Sequence, residues 1–380
     1  MRRFNRFRLI CGVGALAVLA TACSSSSSGT SSGSSASPSA QSTAAAQAYA
    51  AVKSEFKSPV SIGITTPLSK TPPTNVTVDV ITNTLTVGLL LGTAAQDAGK
   101  LLGWHVNVMT MNSTPEGVLS VLQQAINAKP TAIILNGQPR SEFQSVFPSA
   151  TANHVAIVDV QGDLTGGPTG PLVADLYEAA QFGKVAENTA NWAISDSDGK
   201  ANALLVAYAN YPLSKYITNT TATDIGSKCP GCKTTTLLVQ ASSTGTTLPA
   251  TVVSALQRNP SINYVIFQDA AMALGVDAAM QSAGLQGKVK VMGNDETPQA
   301  AASTISGAEL GWQAFSQTAV AWGAMDAVAR YVVGDPPVNP PLMTEIFTKA
   351  NLPANPSQNV WNNLPADMAT QYAKLWHVSS

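Results

Sequence analysis

From Val76 onward the chain alternates short apolar runs with longer stretches of helical period, and after one Gly/Pro-rich interruption it does so again. The first series reads VTVDVIT, a helix over TVGLLLGTAAQDAGKLLG, WHVNVMTM, a helix over PEGVLSVLQQAINA, TAIILNG, a helix around 142–153 and VAIVDV. Thr114 and Pro115 supply an N-cap and first-turn pair for the second of these helices, and Val118, Leu122, Ala125 and Ile126 repeat at helical spacing. The strand runs are apolar almost throughout, so both faces of their sheet must be covered, which is the mark of parallel strands with crossover helices. After GDLTGGPTGP comes a helix over about 177–194. ANALLVAYA, TTTLLVQ, INYVIFQ and KVKVMGN then follow as strands with helices between them. The fold class is therefore α/β, with two doubly wound parallel-sheet lobes joined by a hinge. The last strand leads into Thr297 and Pro298, again a cap and first-turn pair. ELGWQAF, an apolar helix, Pro-rich loops and a short helix over PADMATQYAKLW complete the chain.

In open parallel sheets ligands sit beyond the carboxyl ends of the strands. Asp159, Asp269 and Asp295 each stand at such an end. A carboxylate accepts hydrogen bonds from hydroxyls with both oxygens, so three of them facing one cleft would grip a polar solute. Ala270 and Ala271 clear space beside Asp269. The competing role for Asp269 is an N-cap for the helix that follows it. Asp295 has no such duty, since Thr297 caps the next helix. Asp159 precedes a Gly-rich loop with nothing to cap.

The front of the chain has a different character. Arg2, Arg3, Arg6 and Arg8 precede an apolar run from Leu9 to Ala20, too short for a membrane span, and small residues then lead to Cys23. The order resembles a bacterial lipoprotein signal over 1–22, cleaved so that Cys23 carries lipid. That places the protein outside the cytoplasm, anchored to the cell membrane. Loss of 1–22 removes four arginines and no acids, leaving 17 basic against 22 acidic residues and a charge of −5. Residues 23–46, rich in Ser, Gly, Ala and Thr, read as a flexible tether. In an exported protein the remaining cysteines, Cys229 and Cys232, are expected to form a local disulfide. Zinc would need two more ligands, and His105, His154 and His377 show no metal spacing.

The stretches VIFQDAAMALGVDAAMQSAG and KVKVMGNDETPQAA resemble those of type I periplasmic solute-binding proteins, in the branch of ribose-type sugar receptors. The resemblance runs from about Val76 to Pro336. It implies that Asp269 occupies a ligand-contacting position where the family usually has Asn, and that Asp295 matches the ligand-binding aspartate of G-x-D-x-T-P. VAIVDV matches a strand ending in Asp-Arg, with Asp159 kept and Val160 in place of the arginine. The loop ITNTLTVG lacks the family's stacking aromatics and leaves Asn83 and Thr84 to hydrogen-bond. Phe315 stands about where a ligand glutamine is expected, with Trp312 close by; the other role for both is interlobe core. Tyr208, Tyr211 and Lys215 follow a second-lobe strand near the place of a ligand arginine. A cleft with three acids and no arginine also suits an amine-bearing solute.

The resemblance implies lobe 1 over 75–161 plus 308–335, lobe 2 over 162–307, and a C-terminal extension over 336–380 packed on them. It implies a monomer that captures a small polar solute, a sugar or sugar-like compound, by hinge closure and delivers it to ABC permease subunits. The alternative is a receptor presenting solute to a membrane kinase or chemoreceptor. No cofactor, metal or catalytic set is expected. Phosphate-loop, H-E-x-x-H and G-x-S-x-G patterns do not occur, and GDLTGGPTG reads as a linker between lobes. Charged residues at 11% and aromatics at 6% argue against a nucleic-acid binder.

Overall fold

The computed structural model describes residues 38–84, 86–112, 114–162, 164, 166–209, 211–356 and 361–379. The signal segment and Cys23 lie outside them. Among the described residues, eleven strands form two sheets. The first comprises β1 (Thr77–Thr82), β2 (His105–Thr110), β3 (Ala132–Asn136), β4 (Ala156–Val160) and β5 (Leu172–Leu176), in the order β2-β1-β3-β4-β5, all parallel. The second comprises β6 (Asn202–Tyr208), β7 (Lys233–Val239), β8 (Tyr264–Phe267), β9 (Lys290–Asn294), β10 (Gly311–Phe315) and β11 (Thr344–Thr348), in the order β11-β10-β9-β8-β6-β7. Only β11 runs antiparallel to its neighbour.

Burial along the strands follows position in the sheet. Every residue of β3, β4 and β8 is buried, because each lies between two strands and two helical layers. The edge strands β2 and β7 alternate between exposed and half-buried residues, so the threonines of β7 face water. Helices Thr86–Leu102 and Gln317–Val333 share one apolar core on the first sheet, and helix Pro115–Ala128 builds another on its opposite face. The second sheet is sandwiched in the same way. Helix starts are capped as the sequence predicts: Thr114 Oγ1 accepts from Gly117 N at 3.1 Å and Thr297 Oγ1 from Ala300 N at 3.2 Å. Cys229 and Cys232 are disulfide-bonded.

Several segments differ from expectation. One helix over 142–153 is predicted, but three short turns stand there, because Pro148 has no N–H to bond back into the preceding turn. GDLTGGPTGP does not lead into the second sheet; it joins β4 to β5 within the first, which therefore extends beyond residue 161. β10 pairs with β9 in the second sheet, while the helix after it, Gln317–Val333, packs on the first. Helix Pro38–Val52 takes in residues 38–46, assigned above to the tether. SIGITTPLSKTPP, which reads in the sequence as a brief strand ending in a Pro-rich turn, forms no strand. Its backbone bonds to the C-terminal helix Met368–Trp376 instead, Leu68 N to Leu375 O at 2.9 Å and Ile62 N to Gln371 Oε1 at 3.0 Å.

The two ends of the chain thus meet on helix Gln317–Val333. Trp322, Tyr372 and Trp376 cluster there, with the two indoles stacked nearly parallel at 5.6 Å and the Tyr372 ring tilted against both. Beneath them Asp326 receives Arg330 Nε at 2.6 Å and Trp376 Nε1 at 2.8 Å, and Arg330 Nη2 reaches Thr66 O at 2.7 Å. Asp326 and Arg330 are almost wholly buried. Removing one partner of such a pair leaves the other charged and dry. Asp326→Ala is therefore expected to cost about 3–5 kcal/mol in chemical denaturation. A loss below ~1 kcal/mol would mean that Arg330 finds another acceptor.

Candidate functional site

The carboxyl ends of strands from both sheets open onto one cavity. It has two continuous parts, of about 220 and about 150 Å³, which share Val87, Tyr208, Tyr211, Asp269 and Asp295 as walls. From the first sheet come Asn83 after β1, Asn136 and Gln138 at the end of β3, and Gln161 after β4. From the second come Tyr208 and Tyr211 after β6, Gln268 and Asp269 after β8, Asp295 and Glu296 after β9, and Phe315 ending β10. Trp361 and Asn362 reach in from the C-terminal extension.

The two walls differ in chemistry. The first-sheet wall is lined by neutral amides, Asn136 Nδ2 donating to Gln161 Oε1 at 3.0 Å. The second-sheet wall carries carboxylates and phenols. Asp269 Oδ1 accepts from Ala271 N at 2.8 Å, so the residue caps the turn Ala270–Ala273 and also faces the cavity. The helix expected beyond it is broken at Gly275, whose φ of +80° is left-handed. Asp295 has a φ of +60°, a conformation uncommon for residues other than glycine but accessible to aspartate, and its amide bonds to Gln313 O at 2.9 Å. The left-handed turn follows directly on β9, at the foot of the cavity wall. Tyr208 and Tyr211 meet edge to face, 5.6 Å apart.

No lysine, arginine or histidine is among the described residues that line the cavity. Arg140, near its first-sheet rim, is bound to Asp175 at 2.8 Å. Without a cation, the acids push one another up. Burial raises the Asp269 carboxyl. Burial and then the charge of Asp269 hold Asp295 well above the usual range. Both keep a half-buried face on the cavity. Glu296 is deeper, at 6% exposure, and neither of its carboxylate oxygens has a hydrogen-bond partner. Burial and the nearby Glu309 push it up to about 9, against a pull downward from the Thr297 amide. Glu309 is likewise pushed up to about 9 by burial and by Asp277, and it accepts from Trp312 Nε1 at 2.7 Å. Tyr208 is raised by burial and by Asp269, Tyr211 and Asp295, which places these four groups within electrostatic reach of each other.

Of the residues singled out from the sequence, Asn83, Tyr208, Tyr211, Asp269, Asp295 and Phe315 line the cavity. Asp159 does not. It is fully buried under the loop after β4, where a Cβ on Gly162 would fall 2.3 Å from its Oδ2. Trp312 is fully buried and stacks on Phe267 at 6.4 Å as part of the second-sheet core. Phe315 combines both roles, packing edge to face on Phe182 at 5.7 Å while its rim meets the cavity. Thr84 is exposed and Lys215 half-buried, and neither is part of the wall. Polar and aromatic lining residues not anticipated include Asn136, Gln138, Gln161, Gln268, Glu296, Trp361 and Asn362. The first four end or follow strands, so a rule of reading every polar residue at a strand's carboxyl end would have found them.

The family model described as a periplasmic binding protein domain matches residues 89–336. Among solved structures, a 5-methylthioribose transporter solute-binding protein from Thermotoga lettingae is similar with a TM-score of 0.66 and 18% identity, over 82% of this chain and 99% of that one. GanP, a glucose-galactose binding protein from Geobacillus stearothermophilus, gives 0.63 and 19%, over 73% and 99%. A carbohydrate transporter solute-binding protein from Agrobacterium radiobacter, in complex with D-arabinose, gives 0.61 and 22%, over 73% and 95%. A search of the curated proteins found no match.

The raised carboxyls make stability depend on pH. Below about 4.5, the ordinary value for glutamate, Glu296 and Glu309 are protonated whether the chain is folded or not, and their burial in neutral form costs little. Between 4.5 and about 9 the unfolded chain ionises them and the folded one does not, so stability falls as pH rises through that window. Glu296→Gln cannot ionise. Its melting temperature relative to the parent is expected to rise by at least ~2 °C between pH 5 and pH 8.5. A difference independent of pH would show that Glu296 is solvated.

Proposed function

Because the chain belongs to the periplasmic binding protein domain family, in its type I branch, we propose that it captures a small, sugar-like solute in the cavity between its two lobes and delivers it to the permease of an ABC importer. The observation that carries this reading is the double wall: polar residues at the carboxyl ends of strands from both sheets face one space of solute size. A ligand bridging both walls binds the closed arrangement better than the open one, and so shifts the population toward it. The chain passes between the sheets near Tyr177, near Ser316 and over 334–343, and these passages are where a hinge would bend. The names of the similar structures support a sugar-like ligand: glucose-galactose, 5-methylthioribose and D-arabinose.

In this reading the amides of the first wall hydrogen-bond hydroxyls, and the aromatic rims of Tyr211, Phe315 and Trp361 cover the apolar faces of the solute. The protein works outside the cytoplasm as a monomer, held at the membrane by lipid on Cys23. Capture requires no chemical step and no cofactor.

The test is a thermal-shift screen of sugars and polyols, in which a ligand at a hundred times its Kd stabilises by about 2.7 kcal/mol. With a hit in hand, Gln138→Ala in the first wall and Asp295→Ala in the second are each expected to weaken binding roughly three- to tenfold or more. The melting temperature of the unliganded protein should hardly change for Gln138→Ala, whereas Asp295→Ala carries the added cost of alanine in a left-handed turn, about 1–2 kcal/mol. A loss confined to one wall would mean that the solute sits on a single lobe, and closure by bridging would fall.

A further inference from the structure

Resting on that reading of the cavity, we infer that the solute carries a positively charged amine, seated against Asp269 and Asp295. Three independent features lead there. First, the lining is one-sided. Asp269, Asp295 and Glu296 stand on the second-sheet wall and no basic side chain stands among the described lining residues. The rest of the neighbourhood does not correct this, since Glu309 and Asp277 behind the wall are also acids and Tyr208 and Tyr211 bring no basic group. Second, Glu296 is more than nine-tenths buried at the wall of the cavity, and both of its carboxylate oxygens lack a partner. A buried acceptor with nothing to accept from costs free energy unless a ligand supplies the donor. Third, the aromatic rings beside the acids, Tyr208, Tyr211 and Trp361, offer π faces or edges to whatever occupies the space.

A neutral polyol would satisfy hydrogen bonds but leave the wall without a counter-charge, so the acids would have to stay protonated. An ammonium group donates three hydrogen bonds and brings the missing charge in one step. A bare metal ion fits less well, because among the described residues no group of three or more His, Cys, Asp or Glu side chains is placed to hold one. The opposite wall, built from Asn83, Asn136, Gln138 and Gln161, is suited to hydroxyls. Together the walls fit a polyhydroxylated amine: hydroxyls toward the first lobe, nitrogen toward the second.

The experiment compares matched pairs by calorimetry on the purified full-length protein, in phosphate buffer so that no buffer amine competes. The pairs are D-glucosamine with D-glucose, D-galactosamine with D-galactose, and glucamine with sorbitol. N-acetyl-D-glucosamine, which keeps the nitrogen without its charge, is the control. At least one amine is expected to bind roughly ten- to hundredfold tighter than its parent, and acetylation should abolish the advantage. Asp295→Asn keeps the left-handed turn accessible and Asp269→Asn keeps the cap acceptor; each should bring the affinity of the amine down to that of its uncharged parent measured on the same variant. Parents binding as well as amines, or a preference that survives both substitutions, would overturn the inference and leave solute capture standing. If no member of any pair binds, the sugar-like reading fails and the inference fails with it.

Discussion

Two carboxyl groups drawn partly out of water beside one another, with no basic side chain among the described residues that line their cavity, are the constraint on which the site depends. Asp269, Asp295 and Glu296 sit close enough for the charge of one to lift the pKa of the next. In a stability-driven core such a group would be replaced by apolar residues of similar volume at little loss. Here an apolar cluster lies behind the cavity wall, with Phe267, Trp312, Val265 and Val291 buried in it. The acids are therefore concentrated where the second sheet meets the space between the lobes. Their cost is one that a ligand can offset and packing cannot.

Parallel strands make the concentration possible. β8, β9 and β6 run side by side in one direction, so their carboxyl ends are neighbours although the residues that follow them lie far apart in the chain. Each end then needs a sharp departure, and the local backbone supplies it: Asp269 closes its own turn by accepting from Ala271 N, and Asp295 turns left-handed at once. Both devices hold the carboxylate at the strand end. Their roles as turn-former and wall are compatible because one oxygen of Asp269 suffices for the cap. The question of whether Asp269 caps or faces the cleft thus has the answer that it does both.

This also explains which parts were legible in the sequence. Strand and helix periods, together with Thr114–Pro115 and Thr297–Pro298, are local signals, and they locate most of the elements. β5 and β11 were not legible because the Gly/Pro-rich stretches before them suggest loops, and their pairing partners are settled only by the assembled sheets. Asp159, Asp269 and Asp295 look alike as residues after apolar runs. What separates them is the loop that follows: Gly162 folds back over Asp159, whereas the chain moves away from the other two. That difference is set by tertiary contact with Gln138 and has no signature in spacing. Glu296 escaped notice for the opposite reason, since an acid before a capped helix reads as a surface residue until its surroundings are known.

The C-terminal extension adds the strand β11 to the second sheet, and the segment beyond that strand becomes part of the site. The similar structures are covered almost completely while this chain is covered to 73–82%, so the segments at its ends are largely additions to the shared fold. Trp361 and Asn362 line the cavity, and the carbonyl of Asn362 accepts a hydrogen bond from Ser316 Oγ. The same Ser316 oxygen accepts from Ala319 N and so caps helix Gln317–Val333, at the point where the chain leaves the second sheet for the first. Farther along that helix, Trp322 packs against Tyr372 and Trp376 of the extension. One end of the extension is thus fixed to the helix by aromatic packing and a buried charge pair, and the other is tied to a passage between the lobes and to the cavity wall. The extension therefore joins the cavity wall to the passage between the sheets, and it does so through one hydroxyl shared between a helix cap and a backbone carbonyl.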